Sequence, residues 1–279
     1  MSKKRNKRYQ RLALRGTPQK TSKYGFIPPI IEASDYWLGS GKLGTQEINP
    51  KAEWLGHLPA FELQNRGKET NCCVSFGTLS ALEILHRFQY DSEPNYSDRF
   101  LCALSGTDPN SGNNPKKVSD TLRHGGCVKE TEYPFVLEEF FQKIPLNIEA
   151  KGLEWLKDYE VGYEYVAKDK IREALKRSPV GCAVYAWSQN DKGEYIKLGN
   201  PNHWVVLIGF DKEDRPMIYD SYETSVKILE KGYELEFAQI YTLKKKPIPA
   251  EEIKEYKKGG SNWLTQIWNR LVEVWFYIF

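Results

Sequence analysis

Histidine and methionine are scarce in this 279-residue chain, with four and two copies respectively. Any mechanism that needs an imidazole must draw on His57, His86, His124 or His203. The five cysteines, Cys72, Cys73, Cys102, Cys127 and Cys182, form no CxxC pair of the kind that binds zinc or runs dithiol chemistry. Their odd number leaves at least one thiol free, which points to a reducing compartment. No apolar run near the N-terminus has the length and small-residue exit of a secretory leader, so the expected location is cytoplasmic. Long low-complexity tracts and internal repeats are missing as well, which excludes fibrous and solenoid architectures.

What is present is aromatic-rich and long enough to bury a sizeable core. The net charge of +3 is unevenly spread. Residues 1–31 carry nine Lys or Arg and no acid, leaving 31 basic against 37 acidic groups in the rest, a balance of −6. Residues 1–25 read as a basic flexible tail that keeps the chain in solution; contact with nucleic acid or another polyanion is the alternative. Residues 26–60 are dotted with Pro and Gly and lack periodicity, so an extended segment wrapping a body is expected.

The clearest helix is 73–89, apolar on most sides and therefore largely buried. A second is predicted from Pro115 to Arg123, with Asn114 as N-cap and Gly125-Gly126 as terminator, and a third over Asp169–Arg177. Short β-branched or aromatic runs then follow at Val180–Trp187, His203–Phe210, Pro216–Tyr219, Ser225–Leu229 and Tyr233–Leu243. Asp211–Arg215 reads as a hairpin turn. A helical first half and an antiparallel second half make an α+β fold. Beyond Gly259-Gly260, residues 261–279 form an amphipathic, aromatic-rich helix within a C-terminal extension, 249–279. Polar residues in its middle exclude a membrane span. It packs on the body or a second subunit, or lies at a membrane surface.

Three residues carry candidate chemistry. Cys73 opens the buried helix, where free N–H groups and the helix dipole favour a thiolate. His203 opens the strand HWVVLIGF after a turn-like GNPN, accessible yet held on a rigid element. Asp220 ends the next strand, and an antiparallel pair closed at 211–215 brings it beside His203, where a carboxylate would orient the imidazole and stabilise its cation. Each alone has an ordinary reading: a small buried hydrophobe, a strand cap, a turn acid.

The order of these segments resembles the papain-like cysteine peptidases, with a likeness to bacterial or phage-type members. CVSF is similar to that family's CWAF, NHWVVLIGF to its NHAVxxVGY, and YDSYE to its NSWG. GGCVKETEYPF, SPVGCAVYAW and Ser97-Asp98 fall in family order between them. The resemblance covers about residues 54–243. It implies a two-lobed papain-like domain over 26–248, with Cys73 as nucleophile, His203 as general base and Asp220 in the place of the orienting Asn. The substrate would be a peptide or protein, cleaved at peptide or isopeptide bonds with no cofactor or metal. The family's oxyanion glutamine is displaced here; Gln64 is the first choice, with Asn65 and Asn71 as alternatives. The cysteine three residues before the nucleophile is missing, and its disulfide is expected to be missing too. Residues 1–50 do not match the family's long helical pro-segment. Trp204, beside His203, either narrows the cleft or joins the core. Acyl transfer of the transglutaminase or arylamine-acetyltransferase type, and a catalytically impaired binding protein, remain as alternative functions.

Overall fold

The computed structural model describes residues 24–40 and 47–247. The predicted 261–279 helix and most of the basic tail lie outside the described residues. The left lobe holds four helices: α1 (Cys73–Tyr90), α2 (Asp98–Leu104), α3 (Pro115–Gly125) and α4 (Leu146–Asp158). The right lobe is one antiparallel sheet of β1 (Tyr159–Tyr165), β2 (Val180–Val184), β3 (His203–Phe210), β4 (Pro216–Tyr219), β5 (Val226–Ile228) and β6 (Glu236–Lys245), in the order β1-β6-β2-β3-β4-β5. No helix among the described residues is long and apolar enough to cross a membrane.

α1 is the axis of the molecule. It begins at Cys73, and the Phe76 amide donates to the Cys72 carbonyl. It ends where Asp91 turns left-handed and its N–H reaches the Arg87 carbonyl. Val74, Leu79 and Leu82 pack with Trp204 of β3, while Ile84 and Leu85 enter the core behind the sheet. Gly77 makes the close approach feasible, since a Cβ there would sit 2.8 Å from the Trp204 ring. Trp204 is fully buried between helix and sheet. Its fate is the core.

α3 follows its capping signals, with the Asn114 side chain accepting from the Lys117 amide at 2.9 Å. α2 and α4 escaped the sequence reading, α2 because it is two turns long and α4 because it opens on Leu146 after Pro145, with no side-chain cap. β1 was missed for a similar reason: polar Tyr, Glu and Gly residues alternate along it, and it gains its strand character from pairing with β6. The third predicted helix is shorter than expected, a 3₁₀ turn at Lys168–Lys170 followed by one helical turn, Ile171–Ala174.

The chain before α1 wraps the right lobe as expected. Trp37 pairs with Tyr165 beside β1, the Asn49 amide donates to the Lys176 carbonyl at 2.7 Å, and the Trp54 amide to the Ile208 carbonyl at 2.8 Å. The expected tail, however, ends earlier than residue 25. Tyr24 and Gly25 are packed against the body, Gly25 threading so near Asn71 that a Cβ would fall 2.1 Å from its carbonyl oxygen.

The expected loss of the disulfide beside the nucleophile is overturned. Cys72 is joined to Cys102 of α2, their Cα atoms 6.0 Å apart. The residue that caps α1 faces away from the cleft and into the left lobe, so it can staple α1 to α2 although the spacing differs from the family pattern. Closing a loop of this size restricts the unfolded chain by roughly 3–4 kcal/mol in the loop-entropy picture. Cys73, Cys127 and Cys182 remain free and buried. Alkylation of the unreduced, denatured protein should therefore tag three thiols by intact mass, and five after reduction; five without reduction would show that the Cys72–Cys102 bond does not form.

Candidate active site

Cys73 and His203 are brought together by the contact of α1 with β3. The first residue of the helix and the first residue of the strand lie at the same end of the lobe interface, and both side chains are fully buried. His203 Nε2 donates to Asp220 Oδ1 at 2.6 Å, which leaves Nδ1 for the Cys73 sulfur, with which the ring is hydrogen-bonded. Asp220 follows β4 directly, and the hairpin predicted at 211–215 closes through the Asp211 amide on the Arg215 carbonyl at 3.0 Å.

Electrostatics favour a cationic ring. Burial alone would drive the His203 pKa down, but the charges of Asp220 and Cys73, with their hydrogen bonds, outweigh it and push it up to about 10. Tyr222 shields the pair, its ring 5.0 Å from the imidazole. On the other side Trp187 meets the ring at 5.4 Å.

Gln64 is buried and closely held. Its side-chain oxygen accepts from Ser221 Oγ at 2.7 Å, and its Nε2 donates to Glu69 Oε1 at 2.8 Å and to the Tyr222 hydroxyl at 2.9 Å. Tyr222 in turn donates its proton to Glu69. Of the alternatives, Asn71 Nδ2 donates to the Pro109 carbonyl at 2.8 Å, and Asn65 is exposed. The sequence reading passed over Glu69, Ser221 and Tyr222, which lack any signal until β4 carries Ser221-Tyr222 past the loop before α1.

Residues 24–27 lie across this site. The Tyr24 carbonyl faces His203 Nδ1 at 3.5 Å, and the Tyr24 ring lies 5.8 Å from both the imidazole and Tyr222. The Phe26 amide donates to the Asn202 carbonyl at 3.3 Å, and the Ile27 amide to the Asn113 carbonyl at 2.9 Å. One short strap thus bonds both lobes. The Phe26 ring is stacked on Trp204 with centroids 5.8 Å apart and touches Phe237. The strap lies against His203, and Cys73 and His203 are both fully buried beneath this end of the lobe interface.

A model of the papain family cysteine proteases matches residues 60–233. The chain belongs to that family. Among solved structures, the xylellain cysteine protease of Xylella fastidiosa is 17% identical, with a TM-score of 0.60 over 84% of this chain and 99% of the other. The cysteine protease and lectin-like domains of Cwp84, a surface layer associated protein of Clostridium difficile, are 16% identical, with a TM-score of 0.61 over 88% and 60% of the two chains. The proform of the ragweed pollen allergen Amb a 11 is 17% identical, with a TM-score of 0.56 over 84% and 72%. No curated protein matches. The two-lobed α+β architecture is that of a papain-like fold, and the protein is a cysteine-type peptidase.

The raised His203 pKa has a consequence for stability. The folded state holds this proton more tightly than the unfolded chain, whose imidazole titrates near 6.5, so its contribution is complete below that value and is lost as pH rises toward about 10. The unfolding free energy should fall between about pH 7 and about pH 10, and less so in His203→Gln, as read by urea denaturation at each pH. Parallel curves for the two proteins would show that His203 is not cationic in the fold.

Proposed function

We propose that this papain-family peptidase cleaves peptide bonds through Cys73, His203 and Asp220 by way of an acyl-enzyme. The observation that carries the reading is the meeting of a helix-initial thiol with a buried imidazole whose far nitrogen is held by a carboxylate. Cys73 Sγ attacks the substrate carbonyl while the helix N-terminus stabilises its charge. His203, protonated on Nδ1, gives that proton to the departing amine and becomes neutral. Water then attacks the thioester; its proton goes to Nδ1, and collapse of the second tetrahedral intermediate releases the acid and regenerates the thiolate–imidazolium pair. Throughout, Asp220 holds Nε2–H and so keeps Nδ1 turned to the thiol.

The oxyanion is received by the Cys73 backbone N–H and Gln64. Serving there costs Gln64 one of its present bonds to Glu69 or Tyr222, so the donor is fully engaged only as charge develops on the substrate oxygen. Gln64→Ala should lower kcat roughly 10²–10³-fold with a smaller effect on KM. An unchanged kcat would move the role to Asn71 or to backbone donors alone.

The strap implies that the peptidase is held closed by its own residues 24–27. Gly25 is the point of least tolerance. Gly25→Val should displace the strap without touching the triad. The test is intact mass after treatment with a peptidyl epoxide. A single adduct at Cys73, lost in Cys73→Ala, should form about tenfold faster or more in Gly25→Val than in the unaltered protein. Labelling at another cysteine would sink the nucleophile assignment; equal rates would sink the closed strap.

A further inference from the structure

Asp220 has a second partner that the family motifs do not announce. Lys227 lies on β5, opposite Ile218 of β4, in the short run Val226-Lys227-Ile228. Its side chain is 1% exposed, and its Nζ donates to Asp220 Oδ2 at 2.8 Å. The two other ammonium protons go to the Tyr222 carbonyl at 3.1 Å and to the Thr224 carbonyl. The Trp187 and Tyr195 rings close over the cation, 5.1 and 5.9 Å from Nζ to their centroids. An ammonium this deep is costly to desolvate, and none of its protons is left for a ligand.

We propose that Lys227 is a positioning residue of the catalytic machinery, completing a buried chain of alternating charge, Cys73–His203–Asp220–Lys227, so that His203 can give up its proton during the reaction. The inference rests on the triad assignment above. In the resting enzyme the thiolate, imidazolium, carboxylate and ammonium sum to zero. In the acyl-enzyme the sulfur is a neutral thioester and His203 must be neutral to act on water; carboxylate and ammonium again sum to zero. Without Lys227 the same space would hold a net negative charge at both stages, and Asp220 would hold the imidazole in its cationic form. The base for deacylation would then be protonated when it is needed. The remaining groups that face this chain do not supply the missing cation. Tyr222 spends its proton on Glu69, Tyr195 lies as a phenol ring beside Lys227, and Tyr24 turns a carbonyl and its ring toward His203.

The experiment is NMR titration of His203 in the full-length chain. Four histidines make the spectrum tractable, and the signal is assigned by its loss in His203→Gln. Cys73→Ala serves as background, since removing the thiolate mimics the charge of the acyl-enzyme. Adding Lys227→Met should move the His203 titration upward by about one pH unit or more, a change of about tenfold in proton affinity, as expected for losing a cation at close range. Adding Asp220→Asn to Lys227→Met should bring it back to or below its starting point. A titration unmoved by Lys227→Met would overturn the proposal and leave Lys227 a purely structural residue. Should Lys227→Met not fold, the decisive pair is Asp220→Asn against Asp220→Asn/Lys227→Met. The double variant should have the higher Tm, because the single one strands a buried ammonium; the opposite order would overturn the pairing. Epoxide labelling tests the triad separately, so failure of that assignment and failure of this one are told apart.

Discussion

The pairing of buried ionisable side chains is the constraint on which this molecule is built. Cys73, His203, Asp220 and Lys227 are all excluded from water, and each has at least one partner of opposite sign or capacity. A lone ion in that position would neutralise or unfold its surroundings. The elements that meet there are therefore held to a common register. α1 must deliver its first residue to the mouth of β3, β4 must end one residue before Asp220, and β5 must place Lys227 on the inner face. The Asp220 amide bonded to the Ser225 carbonyl at 2.7 Å ties the two ends of the intervening loop.

The lobe interface supplies the rigidity this needs. Trp204 sits next to His203, buried against Gly77 and Val74 on one side and stacked with Phe26 on the other. A bulky ring in such a place resists sliding of α1 along the sheet, and Cys73 is one turn of helix away from the glycine that admits it. Packing and the meeting of Cys73 with His203 are here the same contact. The Cys72–Cys102 bond extends that fixity outward, binding the helix start to the left lobe directly behind Cys73.

Much of this was legible in the sequence because it is written in local signals. The buried helix, the Asn114 cap, the hairpin at 211–215 and the family order of CVSF, NHWVVLIGF and YDSYE each depend on a few neighbouring residues. Those signals sufficed for the fold class and for the meeting of β3 with β4. Features made by distant segments left no such trace. Lys227 sits between two apolar residues on a strand, where alternation reads a lysine as solvent-facing. Only the return of the chain past Asp220 turns it inward. Cys72 looked unpaired because its partner lies 30 residues on, in a helix with no periodicity of its own. Gln64 could be singled out by type, but its ties to Glu69, Ser221 and Tyr222 require three segments to converge.

The strap differs from an external inhibitor in being covalently continuous with the right lobe. Between Ile27 and the Trp37–Tyr165 pairing lies a short connection, and beyond it the chain is bound again at Asn49 and Trp54. On the reading that the strap closes the site, Tyr24–Ile27 is a tethered ligand whose connection is itself held by Ile31 on the core and by the Asp35–Lys116 ion pair. On that reading, scission upstream of Tyr24 would leave it in place to compete with substrate. A cut between Ile27 and Ile31 would sever the strap from these anchors, Ile31 on the core and Asp35 paired with Lys116, so that it would be held by its own contacts alone. The place of a cut relative to those anchors would then decide whether release of the cleft is permanent or reversible.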